Sequence, residues 1–173
     1  MNTDSSSPVD LALAEWPALL AEAGRVLGID LSPDESGYLA VIVDAQCTLQ
    51  LQCTEDGRQA SLFCVIAELD DAALARIAPR LLAANYFWQA TGGATLGHDP
   101  ASGRLVLARA LTIEPFLAQG SAQAAHRFVA ELQAFADRAV AWQSQLPEWL
   151  EIASPADEDL AHAAAPRMLF DRA

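Results

Sequence analysis

His98 stands beside Asp99, a pairing that can orient an imidazole or move a proton, and His126 and His162 are the other imidazoles of the chain. Acid–base work of that kind needs a nucleophile or substrate proton within hydrogen-bond reach. No Gly-x-Ser-x-Gly elbow is present, and the three histidines fall on a turn, on a long helix and in the C-terminal segment. His98 and Asp99 therefore read as solvated turn residues. The thiols, Cys47, Cys53 and Cys64, are odd in number, lack Cys-x-x-Cys spacing and sit near no histidine cluster. Neither a disulfide framework nor a zinc site is indicated. Cys47 and Cys53 share the parity of Leu49 and Leu51, which makes them buried, reduced core thiols. Thr91-Gly92-Gly93 lacks the lysine and the helix start of a phosphate cradle. Asp70-Asp71 opens a predicted helix, where the macrodipole favours acids without any chemistry. No catalytic residue, metal site or cofactor is expected.

The elements around these residues must then account for the chain. It has 173 residues, of which 53 % are hydrophobic, enough for one domain with a real core. The net charge of −13 argues against nucleic-acid binding, which rests on cation contacts to phosphate. The sequence holds no apolar run of about 18 residues, and Met1 to Pro8 carries no basic or apolar targeting region. A soluble, cytoplasmic protein without membrane insertion is expected.

Residues 1–15 read as a polar leader. Pro17 either kinks the first helix or marks its start at Trp16 or Pro17; from there Leu19, Leu20, Ala23, Val26 and Leu27 form one apolar face, and Gly28 caps it. Three apolar runs follow, Tyr38 to Val43, Gln46 to Cys53 and Ala60 to Leu69. The middle one alternates strictly, as a strand with one wet face does. Its neighbours are apolar on both faces, and the connections Asp44-Ala45 and Glu55 to Arg58 are short enough for an antiparallel meander. A helix capped by Asp70 or Asp71 carries Leu74, Ile77, Leu81 and Leu82; Pro79 predicts a kink or two pieces, and Asn85 its end. Tyr86, Phe87 and Trp88 at that corner read as core. Ala94 to His98 and Arg104 to Leu111 make a hairpin around the turn residues Asp99 to Gly103. The longest helix runs from Ala122 to Leu146 and is ended by Pro147. Its apolar positions Phe128, Leu132, Phe135, Ala139, Trp142 and Leu146 fit either an inter-chain seam or packing on a sheet. Residues 148–173 form an acidic Ala/Pro-rich tail, with one short helix from Pro155 to Ala164.

This order predicts an α+β domain, residues 16–147, with a five-stranded, mostly antiparallel sheet packed by helices in the order α-β-β-β-α-β-β-α. An antiparallel sheet with one wet face alternates cleanly. The surplus of apolar side chains here requires cover on the second face, either from the chain's own helices and tail or from another chain.

One ordered set of residues carries a resemblance: Leu81-Leu82, Ala84-Asn85, Tyr86, Thr91-Gly92-Gly93, Leu96-Gly97, Asp99 and Gly103-Arg104-Leu105-Val106-Leu107. It is similar to the signature of the class I type III secretion chaperones, the Tir chaperone-like family, and the likeness extends over about Pro17 to Leu146. The resemblance implies a cytoplasmic bacterial homodimer that binds a non-globular N-terminal region of secreted effector proteins without ATP. It also implies delivery of that segment to the secretion ATPase. It implies a client surface from the first helix and first three strands, with Leu20, Val26, Leu39, Val41, Val43, Phe63 and Val65. It implies a dimer interface from the middle helix and hairpin, with Leu74, Ile77, Leu81, Tyr86, Leu96, Leu105 and Leu107. Pro79 and the long tail depart from the pattern. A general adaptor or ligand-sensing module of the same fold, and a small enzyme around His98, are the alternatives.

Overall fold

The computed structural model describes residues 8–43, 47–54, 57–117 and 121–152. These form α1 (Pro8–Leu27), β1 (Tyr38–Val43), β2 (Cys47–Cys53), β3 (Gln59–Glu68), α2 (Asp71–Asn85), a 3-10 turn (Tyr86–Trp88), β4 (Thr95–Asp99), β5 (Arg104–Thr112), α3 (Glu114–Leu117) and α4 (Ser121–Ile152). The strands make one five-stranded sheet in the order β1-β2-β3-β5-β4, antiparallel throughout. The α+β class and the chain order are those the periodicity predicts. The start of the leader and the tail with its expected short helix lie outside the described residues.

Period-two patterning decides which side of the sheet is buried. Cys47, Leu49 and Leu51 of β2, Leu62, Cys64 and Ile66 of β3, and Leu105, Leu107 and Leu111 of β5 are all buried. Against them lie Leu19, Leu20 and Ala23 of α1 and the full apolar series of α4, Phe128 through Leu146, also buried. Phe128 meets Trp16 and Phe116 edge-on, at centroid distances of 5.6 and 5.5 Å. The long helix thus packs within its own chain rather than forming an inter-chain seam. Where the β3–β5 register slips between Val65 and Ala67, Gln143 Nε2 of α4 donates to the Val65 carbonyl at 3.0 Å.

Three proline-based boundaries are corrected. Helix α1 begins at Pro8 and continues through Pro17, α2 is one helix through Pro79, and α4 runs past Pro147 to Ile152 instead of ending at Leu146. A helix-interior proline costs about 3 kcal/mol, and in each case packing offsets it. In α4, Trp149 and Leu150 pack on the core beyond the proline, the Trp149 ring standing 5.2 Å from that of Trp142.

The α2-to-hairpin corner is built by short polar side chains. Asp70 caps α2, accepting from the Ala73 N–H at 2.6 Å. At the other end Asn85 Nδ2 donates to the Leu96 carbonyl at 2.9 Å, and Asn85 Oδ1 accepts from the Leu96 N–H at 2.8 Å. Thr91, the one buried polar residue among those described, donates to the Ala94 carbonyl at 2.5 Å. The hairpin closes at Gly103, whose φ of 69° suits glycine and where an added Cβ would stand only 3.0 Å from the Leu69 carbonyl oxygen. Asp99 accepts from Ser102 Oγ and the Ala101 N–H, which hold its carboxyl below the usual carboxylate range.

Two expectations follow from this packing. Asn85→Ala leaves two backbone groups of β4 without their side-chain partner, and urea unfolding will show a loss of about 1–3 kcal/mol. Burial, and then the Cys47 sulfur 2.9 Å away, push the Cys64 thiol up to about 12. A thiol raised in the folded state favours the neutral form, so its stabilising share is complete below about pH 8.5 and declines as pH rises toward 12. Native alkylation at pH 8 will therefore label the half-buried Cys53 well ahead of Cys47 and Cys64, as peptide mapping will show.

Candidate functional site

The residues that could do chemistry are dispersed. His98 is half-buried on β4 with its Nε2 unpartnered among the described residues, while the Asp99 carboxylate is engaged by the turn. His126 Nδ1 lies 2.8 Å from the Ala122 carbonyl of its own helix, and His162 lies outside the described residues. Among the described residues no three His, Cys, Asp or Glu side chains group as a metal site would, and no helix is long and apolar enough to cross a membrane.

Apolar surface is where the fold departs from an ordinary monomer. On the sheet face opposite α4, a row of paired residues crosses all five strands: Ala40, Gln50, Phe63, Ala108 and Thr95. Phe63, Val65, Val106 and Ala108 are half-buried there, and Ile42 is 75 % exposed. Among the described residues the helices pack on the other face. The β1 edge adjoins this row. The Tyr38 N–H donates to Asp34 Oδ1 and its carbonyl accepts from the Asp34 N–H. Antiparallel alternation then directs the backbone groups of Ala40 and Ile42 away from β2 as well.

The expected client residues divide between faces. Leu20 and Leu39 are buried in the chain's own core, and Val41 and Val43 pack half-buried against it, paired with Leu49 and Cys47. These four face the chain's own core. Phe63 and Val65 lie on the open face, and Val26 is 38 % exposed on α1. Ile42, on the opposite parity to Val41, and Ile29, 45 % exposed beyond Gly28, were not singled out. Ile29 borders a groove of about 770 Å³ lined also by Pro17, Ala21, Gly24 and Leu31. Gly24 permits it: a Cβ there would stand 2.7 Å from the Ile29 carbonyl, and the Gly24 carbonyl accepts from the Ile29 N–H at 3.1 Å.

The expected dimer residues divide in the same way. Ile77, Leu81, Leu96, Leu105 and Leu107 are core, and Leu74 is half-buried against it, whereas Tyr86 is 72 % exposed. The aromatic cluster is not core. Phe87 and Trp88 stand out beside Tyr86, with Leu82 on the preceding turn of α2. The backbone is left-handed at two of these rings: Phe87 and Trp88 have φ of 52° and 53°. Left-handed backbone in non-glycine residues costs on the order of 1–3 kcal/mol each. The Trp88 indole N–H donates to Thr95 Oγ1 at 3.3 Å, joining this corner to β4.

Comparison with known proteins gives the same architecture. The model of the Tir chaperone protein (CesT) family matches residues 18–143. No curated protein matches the sequence. Among solved structures, a chain of the ExsC–ExsE complex is 25 % identical with a TM-score of 0.59, the match covering 77 % of this chain and 94 % of that one. A chain of the HopA1–SchA chaperone–effector complex is 22 % identical with a TM-score of 0.59, covering 83 % and 99 %. A chain of the heterodimeric ExoU–SpcU complex from the type III secretion system of Pseudomonas aeruginosa is 20 % identical with a TM-score of 0.54, covering 79 % and 98 %.

Proposed function

The chain belongs to the Tir chaperone protein (CesT) family, and from that membership we propose that it is a cytoplasmic bacterial chaperone for type III secreted effectors. It binds the non-globular N-terminal region of its client as a homodimer, without ATP, and keeps that region competent for export; the secretion ATPase receives it. The observation that carries this reading is the open apolar sheet face beside an unpaired β1 edge. An extended client segment can add backbone hydrogen bonds at Ala40 and Ile42 while its alternate side chains rest on Phe63 and Val65. Contacts spread over a large area offset the cost of ordering a disordered segment. Nothing in this mechanism requires a bond to be made or broken, and we assign the protein no catalytic role.

The homodimer in this proposal forms through Leu82, Tyr86, Phe87 and Trp88. A second copy covers exposed aromatic area there, and that burial repays the left-handed backbone at Phe87 and Trp88.

The two surfaces are separable by mutation. Ile42→Asp combined with Phe63→Asp will weaken capture of a purified effector N-terminal region by at least about tenfold, or 1.4 kcal/mol, with the dimer intact by light scattering. Unchanged capture would remove the sheet face from the client site. Phe87→Gly removes a ring and relieves backbone strain together. It will leave thermal stability of the fold equal or higher while shifting the dimer toward monomer in sedimentation; a dimer of unchanged strength would place the interface elsewhere.

A further inference from the structure

Between α2 and the C-terminal half of α4 lies a groove of about 520 Å³ whose lining includes Arg80, Arg138, Trp142 and Trp149. Both arginines are exposed, and neither has a carboxylate partner among the described residues, whereas Arg25, Arg104 and Arg109 each have one. The Arg80 guanidinium sits 5.8 Å from the centre of the Trp149 ring. Arg138 lies along Gly92, where an added Cβ would meet its Nε at 3.2 Å. In a chain with 10 Lys and Arg against 23 Asp and Glu, two guanidinium groups without a carboxylate partner among the described residues, in one groove with the half-buried Trp149 ring, offer donors suited to carboxylates. The Trp149 ring adds one apolar wall; that of Trp142 is buried beneath it.

Helix α4 itself delivers an occupant of that chemistry. The helix ends at Ile152, three residues after Trp149, and the sequence continues to Asp157-Glu158-Asp159-Leu160. The residues from Ile152 to Asp157 and Asp159 span up to about 17–24 Å when extended. From Ile152 back to Arg138 is about 21 Å along the helix. We propose that the acidic segment Asp157-Glu158-Asp159 folds back along α4 and docks in this groove, its carboxylates on Arg80 and Arg138 and Leu160 against the Trp149 ring. The tether keeps the segment at a local concentration in the millimolar range, so a few exposed charge pairs hold it. The docked segment straps α2 to α4 and excludes other acidic peptides from the groove. This stands independently of the client reading above.

The test uses the full-length protein labelled with 15N, following the Trp149 indole signal assigned through Trp149→Phe. The triple variant D157N/E158Q/D159N will shift this signal in the wild-type arginine background and will leave it in place in the R80Q/R138Q background. Salt at about 1 M, where charges are screened beyond about 3 Å, will reproduce the shift. Exchanging the charges, D157R/E158R/D159R with R80E/R138E, will make the signal salt-sensitive again. The proposal falls if neutralising the tail leaves the signal unmoved, or moves it equally whether or not the arginines are present. It also falls if the wild-type signal changes on dilution, which would put a second copy in the groove, or changes only when an acidic effector peptide is added.

Discussion

One face of the sheet in this protein is covered by α4, and α1, α2 and α3 pack on α4 in turn. That constraint fixes most of what the molecule can be. Leu49, Leu51, Leu62, Leu105 and Leu107 are sealed under α1 and α4, while Phe63, Val65 and Val106 on the reverse face are left half-buried. Large apolar side chains placed where water can reach them stabilise the single chain less than they would in a core. Ile42, at 75 % exposure, contributes almost nothing to it. An apolar strip of this kind on a sheet adjoining an unpaired edge has the geometry of a surface completed by another polypeptide.

The polar residues and glycines among those that mark the family in sequence do a different job from contact. Asn85 occupies both polar groups of Leu96 on the edge strand β4. Thr91 closes the turn at Ala94, Asp99 is held by Ser102, and Gly103 lets the Leu69 carbonyl approach. Together they build the passage from α2 into the hairpin. Occupying part of the β4 edge with a side-chain amide also blunts one of the sheet's two edges against unwanted strand pairing. The signature reports a folding corner, and the corner in turn sets the outward rings of Phe87 and Trp88.

Much of this was legible in the chain. The alternation of Cys47 to Leu51, the turn chemistry from Asp99 to Gly103, the end of α2 at Asn85 and the apolar series of α4 all stand as periodicity and breakers imply, whereas Cys53, expected in the core, is half-buried. The faces of β1 and β3 were not legible, because both parities of each are apolar. Only register decides them: Leu39 pairs with Leu51, which pairs with Leu62, on the covered side, whereas Ala40, Gln50 and Phe63 line up on the open one. Register is a long-range property, so Leu39 and Phe63, taken together from sequence, parted in the structure. The prolines misled for a related reason. Each rule about Pro17, Pro79 and Pro147 is local, and packing such as that of Trp149 on Trp142 outweighed it. The aromatic corner misled because hydrophobicity carries no information about a left-handed backbone.

The order of strands bears on whether client and second copy can be held at once. β1 and β4 are the two outer strands of five, and neighbouring strands lie about 4.8 Å apart, so the two edges are separated by about 19 Å before twist. The open β1 edge, with Ile42, is at one side; the corner of Leu82, Tyr86, Phe87 and Trp88, tied to Thr95, is at the other. A contact made at the corner therefore leaves the β1 edge unobstructed, and the row from Ala40 to Thr95 joins the two across the open face. With a net charge of −13 the isolated chain repels its own copies at long range. Apolar contact of good shape must overcome that repulsion, which disfavours indiscriminate association and favours the few patches where greasy side chains are contiguous.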